Sequence, residues 1–183
     1  MDFVLVLGRL LEGFDRLGIR YAAIGGLALG AWGAERTTQD VDFLVHREDL
    51  EKLHGLMTAL GYRRIFHSEN VSQYQGENDL WGFADFLHAF RPLAVRMIRE
   101  AGEKPFSGAT PRKLRVARPE DIVGLKVQAL ANNPARKARE TADIEALVRA
   151  NLESLDWSRM EEYYRVFGLE EDFKLLREHL NDA

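Results

Sequence analysis

Residues 21–45 read YAAIGGLALGAWGAERTTQDVDFLV, and the fold is decided here. Tyr21–Ile24 is a short apolar run, the pattern of a buried strand, and it ends at Gly25-Gly26. Two glycines let the backbone turn tightly and let a ligand come close to it. Leu27–Trp32 reads as a short helix whose free amides and positive dipole end suit a phosphate. After a polar loop, Glu35–Gln39, comes Asp40-Val41-Asp42-Phe43-Leu44-Val45. On a strand, residues i and i+2 share a face. Asp40 and Asp42 therefore project together, while Val41, Phe43 and Val45 turn to the core.

Two neighbouring carboxylates repel, and the arrangement costs stability unless a cation lies between them. Magnesium suits such a site, as a hard ion that takes oxygen ligands and shares substrate phosphates. Asp85 sits in the apolar run Phe83-Ala84-Asp85-Phe86-Leu87, where an unpaired carboxylate is expensive. If the two strands are neighbours, Asp85 completes a three-carboxylate cluster able to hold two metals about 3.5–4 Å apart. Asp79 competes for that role, but Glu77-Asn78-Asp79 reads as a turn.

Working outward, Phe3, Leu7, Leu10, Leu11, Phe14 and Leu17 define one helical face stopped by Gly18. Glu48–Leu60 is an amphipathic helix ended by Gly61. Arg63–His67 and Val71–Gln75 read as strands, and Trp81–Ala89 as a central strand. Pro92 opens a helix that Gly102 stops. Residues 103–111 read as a loop and Lys113–Ala117 as a strand. From Pro119 the pattern is helical, over 119–132, 135–150, 157–167 and 169–181. The expected class is α+β: a mixed sheet flanked by helices over residues 1–118, then a helical lobe over 119–183 that completes the active site.

The chain has 183 residues, 46% apolar and 30% charged, the balance of a globular protein. It has no cysteine, which excludes thiol nucleophiles, thiolate metal sites and disulfide scaffolds. No run reaches the ~18 apolar residues of a membrane span, and Asp2 stands where a signal peptide carries a basic residue. A cytoplasmic location with no membrane partner is expected. The net charge of −4 argues against a general nucleic-acid coat. It hides an asymmetry: Arg91 to Arg139 carries twelve Lys and Arg against four Asp and Glu, while the remainder is net −12. That run is either a solvated surface or a basic wall for a phosphate-rich ligand. The five histidines show no metal spacing. His88, three residues past Asp85, faces the opposite side of its strand. Trp157, Tyr163 and Tyr164 read as core.

Gly-Gly, thirteen residues, Asp-Val-Asp and a later strand-borne Asp together resemble the nucleotidyltransferase superfamily of the DNA polymerase β type. Gly25-Gly26-Leu27-Ala28 with Arg36-Thr37-Thr38-Gln39-Asp40-Val41-Asp42 looks like the minimal bacterial group of AbiEii-type toxins. The later run Arg118–Lys126, then Arg136-Lys137 and Thr141-Ala142-Asp143-Ile144, is similar to that group's lysine helix and acidic helix. The resemblance implies catalytic roles for Asp85, Lys126 and Asp143. It implies metal ligation by Asp40, Asp42 and Asp85, and nucleotide contacts from Gly25, Gly26, Arg36 and Thr38. Independently, Lys126 interrupts the apolar stripe Ile122, Ala129, Leu130, so it needs an anionic partner or an altered pKa, unless it snorkels at the stripe's edge.

The implied reaction is attack of an acceptor hydroxyl on the α-phosphorus of a nucleoside triphosphate, with magnesium as cofactor. Three settings are open: a toxin-like enzyme acting on tRNA beside a cognate antitoxin, a modifier of a small aminoglycoside-like hydroxyl compound, and a non-catalytic nucleotide-binding module.

Overall fold

Seven strands form one mixed sheet in the computed structural model, which describes residues 1–34, 38, 40–78, 80–106 and 112–181. They are β1 (Tyr21–Ala23), β2 (Asp40–His46), β3 (Tyr62–His67), β4 (Val71–Gly76), β5 (Phe83–Ala89), β6 (Gly102–Phe106) and β7 (Arg112–Val116). Their order is β3-β4-β5-β2-β1-β7-β6. β2 runs parallel to β5 and antiparallel to β1. β4 is antiparallel to both β3 and β5.

One face of the sheet is covered by apolar side chains. Helix α1 (Phe3–Leu17) starts at Asp2, whose carboxylate accepts from the Leu5 amide, and ends at Gly18 with φ 62°. Its Leu7, Leu10, Leu11 and Phe14 are buried. The Phe14 ring packs on Tyr21, Phe43 and Phe86 at centroid distances of 4.7, 5.3 and 6.5 Å. Val41, Phe43 and Val45 of β2 and Ala84, Phe86 and His88 of β5 supply this buried face. The alternation that places them inside places Asp40, Asp42, Phe83 and Asp85 on the other face. Helix α3 (Leu50–Ala59) packs beside α1. Helix α4 (Pro92–Arg99) lies on the other face, where Arg115, alternating with the buried Leu114 and Val116, donates to the Ile98 carbonyl at 2.8 Å.

Gly102–Phe106 is a strand, not the beginning of a loop. Its glycine and its Pro105 hide the extended pattern. β6 is the edge of the sheet, with its one partner in β7, and a proline is tolerated at an edge because its missing N–H need not serve the ladder.

The chain divides into two compact units. The first, Met1–Ala28 with Thr37–Ala117, holds the sheet. The second, Leu29–Arg36 with Arg118–Ala183, contains α5 (Pro119–Asn132), α6 (Lys137–Asn151), α7 (Trp157–Val166) and α8 (Glu170–Asn181). Helix α2 (Gly25–Ala31) passes from one to the other. Within the second unit, Gly124 lies flat against the Tyr163 ring, where a Cβ would stand 2.6 Å from a ring carbon. The fully buried Asp121 accepts from the Tyr163 hydroxyl at 2.5 Å and from two nitrogens of Arg159 at 2.8 and 2.9 Å. Such a network satisfies a buried charge. Tyr163 and Tyr164 are core residues, as their spacing implies. Among the described residues no helix is long and apolar enough to cross a membrane.

Candidate active site

Asp40 and Asp42 stand on β2 and Asp85 on the adjacent β5, where Asp42 and Asp85 are register partners. One carboxylate oxygen from each lies within 4.8 Å of the others, and all three residues are partly buried. The three acids read from the sequence thus meet at one point. Burial raises the Asp85 pKa, and the neighbouring Asp40 charge adds to the shift, while a hydrogen bond from Gln73 opposes it. The donor set is hard, anionic and oxygen-only, and three carboxylates this close repel one another, so it fits a divalent cation.

The surrounding residues hold these acids in place. Gly25 has φ 61°, and a Cβ there would collide with the Asp42 carboxylate, its Cγ 2.7 Å away. A Cβ on Gly26 would lie 2.7 Å from Thr38 Cβ. The Ile24 amide donates to the Asp42 carbonyl at 3.0 Å, which fixes the turn beside the strand. The glycine pair therefore seats Asp42 and Thr38, a role beyond the close approach of a ligand. Thr38 donates its hydroxyl to the Asp40 carbonyl at 2.9 Å, and its Oγ1 is 3.2 Å from Asp40 Oδ1. It orients the acidic strand from the preceding loop. Arg36 and Asp79 lie outside the described residues.

Gln73 is a site residue that sequence reasoning misses. It is the β4 register partner of Asp85, and its side-chain amide donates to Asp85 Oδ2 at 3.0 Å. Only the cross-strand register brings them together, and residues twelve apart in the chain give no local sign of it.

In the helical unit, Lys126 Nζ donates to Glu140 Oε2 at 2.8 Å and to Asp143 Oδ2 at 2.6 Å. Arg136 reaches the other oxygen of Glu140 at 2.5 Å. The Glu140 side chain is 3% exposed and those of Lys126 and Asp143 12%. The lysine that interrupts an apolar stripe has its anionic partners, and the second of them, Glu140, is new. Its signal was available: Glu140, Ile144 and Leu147 fall at i, i+4 and i+7 on one face of α6.

His88 is buried on the far side of β5 from Asp85. Its Nδ1 lies 2.9 Å from the Glu69 carbonyl, its Nε2 is 2.7 Å from Ser72 Oγ, and Ser72 Oγ is 2.9 Å from His67 Nδ1. A carbonyl only accepts, so His88 Nδ1 carries a proton, and neutral His88 accepts from Ser72. At least six of the twelve cations between Arg91 and Arg139 hold carboxylates, among them Arg99, Arg112, Lys113, Lys126, Arg136 and Lys137. Four of those carboxylates, Asp15, Glu140, Asp143 and Asp172, come from outside the run.

The mixed sheet flanked by helices matches the fold of solved nucleotidyltransferases. The antibiotic-resistance factor ANT(2'')-Ia matches with a TM-score of 0.68 at 17% identity, over 100% of both chains. The lincosamide antibiotic adenylyltransferase LnuA, bound to lincomycin, matches with a TM-score of 0.54 at 15% identity, over 78% of this chain and 94% of its own. An antigenic nucleotidyltransferase-like protein from Paracoccidioides brasiliensis matches with a TM-score of 0.56 at 16% identity, over 96% of this chain and 91% of its own. A search of the curated proteins found no match. The chain belongs to the family described as "Uncharacterised nucleotidyltransferase", whose model matches residues 3–182.

Proposed function

We propose that this protein transfers a nucleoside monophosphate from a nucleoside triphosphate to the hydroxyl of a small acceptor, using Asp40, Asp42 and Asp85 to hold magnesium. The observation that carries the reading is the convergence of those three carboxylates behind the Gly25-Gly26 turn, in a chain of this family. When bound, the cation neutralises charge on the phosphates and lowers the pKa of a ligated hydroxyl. Asp40 and Asp42 are the ligands fixed by Thr38 and Gly25, so they hold the triphosphate side. Asp85, with its raised pKa, is suited to receive the acceptor's proton. On this reading Gly25, Gly26 and Arg36 bind the phosphates, the role that the family resemblance implies for them.

Lys126 and Asp143 carry the roles that the family resemblance gives them, with one condition set by the structure. A phosphate that recruits Lys126 has to compete with Glu140 and Asp143 for it.

A small acceptor is favoured over tRNA by two facts. At least half of the basic run already holds carboxylates, four of them brought in from outside it. A structure that matches along the whole of both chains is an antibiotic-resistance factor, and the same factor has been solved with adenylyl-2''-tobramycin.

The test is label transfer from each of four α-labelled nucleoside triphosphates, with magnesium, to tobramycin, lincomycin or total tRNA. Asp42→Ala is the control, with an expected loss of at least about 100-fold. Magnesium and nucleotide should also raise the unfolding temperature of the parent and not of Asp42→Ala. Transfer to tRNA alone would restore the toxin-like setting with its antitoxin partner. Absence of both metal and nucleotide binding would overturn the site.

A further inference from the structure

The two strand positions that carry the acids continue, as rows, across the acid-bearing face of the sheet toward β3. The first row is Asp40, Phe83, Gln75 and Arg63, taken from β2, β5, β4 and β3 in register. The second is Asp42, Asp85, Gln73 and Phe66. Directly paired residues share a face. The burial pattern agrees, because Ser72 and Tyr74 of β4 are buried while Gln73 and Gln75 are partly open. Phe83 is 46% and Phe66 49% exposed, and Arg63 is exposed as well. Large aromatic rings left open on both sides of a glutamine pair, beside a carboxylate cluster, mark a binding surface more than a packing surface. The side chain of Met1 lies against Gly82 and extends the apolar ground next to Phe83.

We propose that Phe83, Gln75, Gln73, Phe66 and Arg63 form the acceptor platform, and that the acceptor is an uncharged hydroxyl compound built on one or two rings. The inference rests on the nucleotidyl-transfer reading and specifies its substrate class. Each aromatic ring offers an apolar face for the flat side of a ring or sugar. Gln73 spends one N–H on Asp85, and a glutamine has three further hydrogen-bonding positions for acceptor hydroxyls. Strands lie about 4.8 Å apart, so the second row reaches roughly 10 Å from Asp85 to Phe66, enough for one or two rings. The charges discriminate. The only carboxylates in the two rows belong to the metal cluster, and the outer end carries the cation Arg63. A polycation finds no free acid on the platform, and a nucleic acid finds a single cation.

The experiment labels the phenylalanines with fluorine and assigns the Phe83 and Phe66 signals from Phe83→Leu and Phe66→Leu. Phenyl β-glucoside, lincomycin, tobramycin and total tRNA are added in turn, with magnesium and ATP. Phenyl β-glucoside should move both signals, and tobramycin and tRNA neither. For whichever compound accepts label, Phe83→Ala and Phe66→Ala should raise its KM about tenfold. The KM for nucleotide and kcat should stay within about twofold, and Phe83→Leu should recover part of the loss. The proposal is overturned if tobramycin or tRNA moves the two signals and phenyl β-glucoside does not. Acceptor KM unchanged in both alanine variants overturns it too, as does nucleotide and manganese binding with both signals still under every compound. Loss of nucleotide and manganese binding as well sinks the underlying reading instead.

Discussion

Gly25 carries more of the site than a turn residue does. Its φ of 61° is disfavoured by about 1–2 kcal/mol for a residue with a Cβ, and the added atom would strike Asp42. Gly25→Ala should therefore lower stability by about 1–2 kcal/mol in urea unfolding and also reduce metal affinity, because the carboxylate has to move. A variant with lowered stability and unchanged manganese affinity would show that the turn, and not the seating of Asp42, is what the glycine supplies. At this scale the sequence was informative about identity and blind about contact. The Asp-x-Asp alternation announces its own geometry, since a strand leaves no choice of face. Asp85 follows from the cost of a carboxylate in an apolar strand. Gln73 answers to a charge on another strand, and nothing in its own neighbourhood points across the gap, whereas Glu140 sits on the apolar face of its own helix and is legible there.

At the scale of the element, helices α5 and α6 are joined through charge. Lys126 sits among buried groups with Glu140 and Asp143 as its acceptors, and removing it leaves Glu140 with Arg136 and takes from the partly buried Asp143 a donor at 2.6 Å. Lys126→Met should thus cost on the order of 3 kcal/mol of stability, read by urea unfolding without nucleotide. A role confined to phosphate binding would leave stability unchanged and raise only the KM for nucleotide. The double variant Lys126→Met, Glu140→Gln separates the two, because it removes part of the stranded charge and should recover stability without recovering activity. Long elements such as α1 were legible because apolar periodicity and caps agree over 15 residues. β6 was not. It spans five residues with a glycine and a proline, and it is a strand because β7 offers it an edge, a fact that exists only after folding.

For the molecule as a whole, the charge pattern bears on stability more than on partners. Much of the surface charge is paired, and exposed pairs contribute little. The buried titratable groups decide the pH response. His88 links β5 to the β3–β4 hairpin through Ser72, His67 and the Glu69 carbonyl. Burial lowers its pKa below the ordinary 6.5, and the charges of His67 and Arg47 act in the same direction against the hydrogen bond to Glu69. The unfolded chain then binds a proton at His88 that the folded chain refuses. Stability rises with pH through that interval: the contribution is complete above about 6.5 and is lost as pH falls toward the folded pKa. Protonated His88 donates from both nitrogens, so Ser72 loses its acceptor and must turn its proton toward His67. We expect the urea midpoint to fall between pH 7 and 5.5, with a smaller fall in His88→Gln, whose amide can accept from Ser72 but does not titrate. Equal falls in both proteins would assign the acid sensitivity to other groups and leave the His88 chain as neutral packing between three strands.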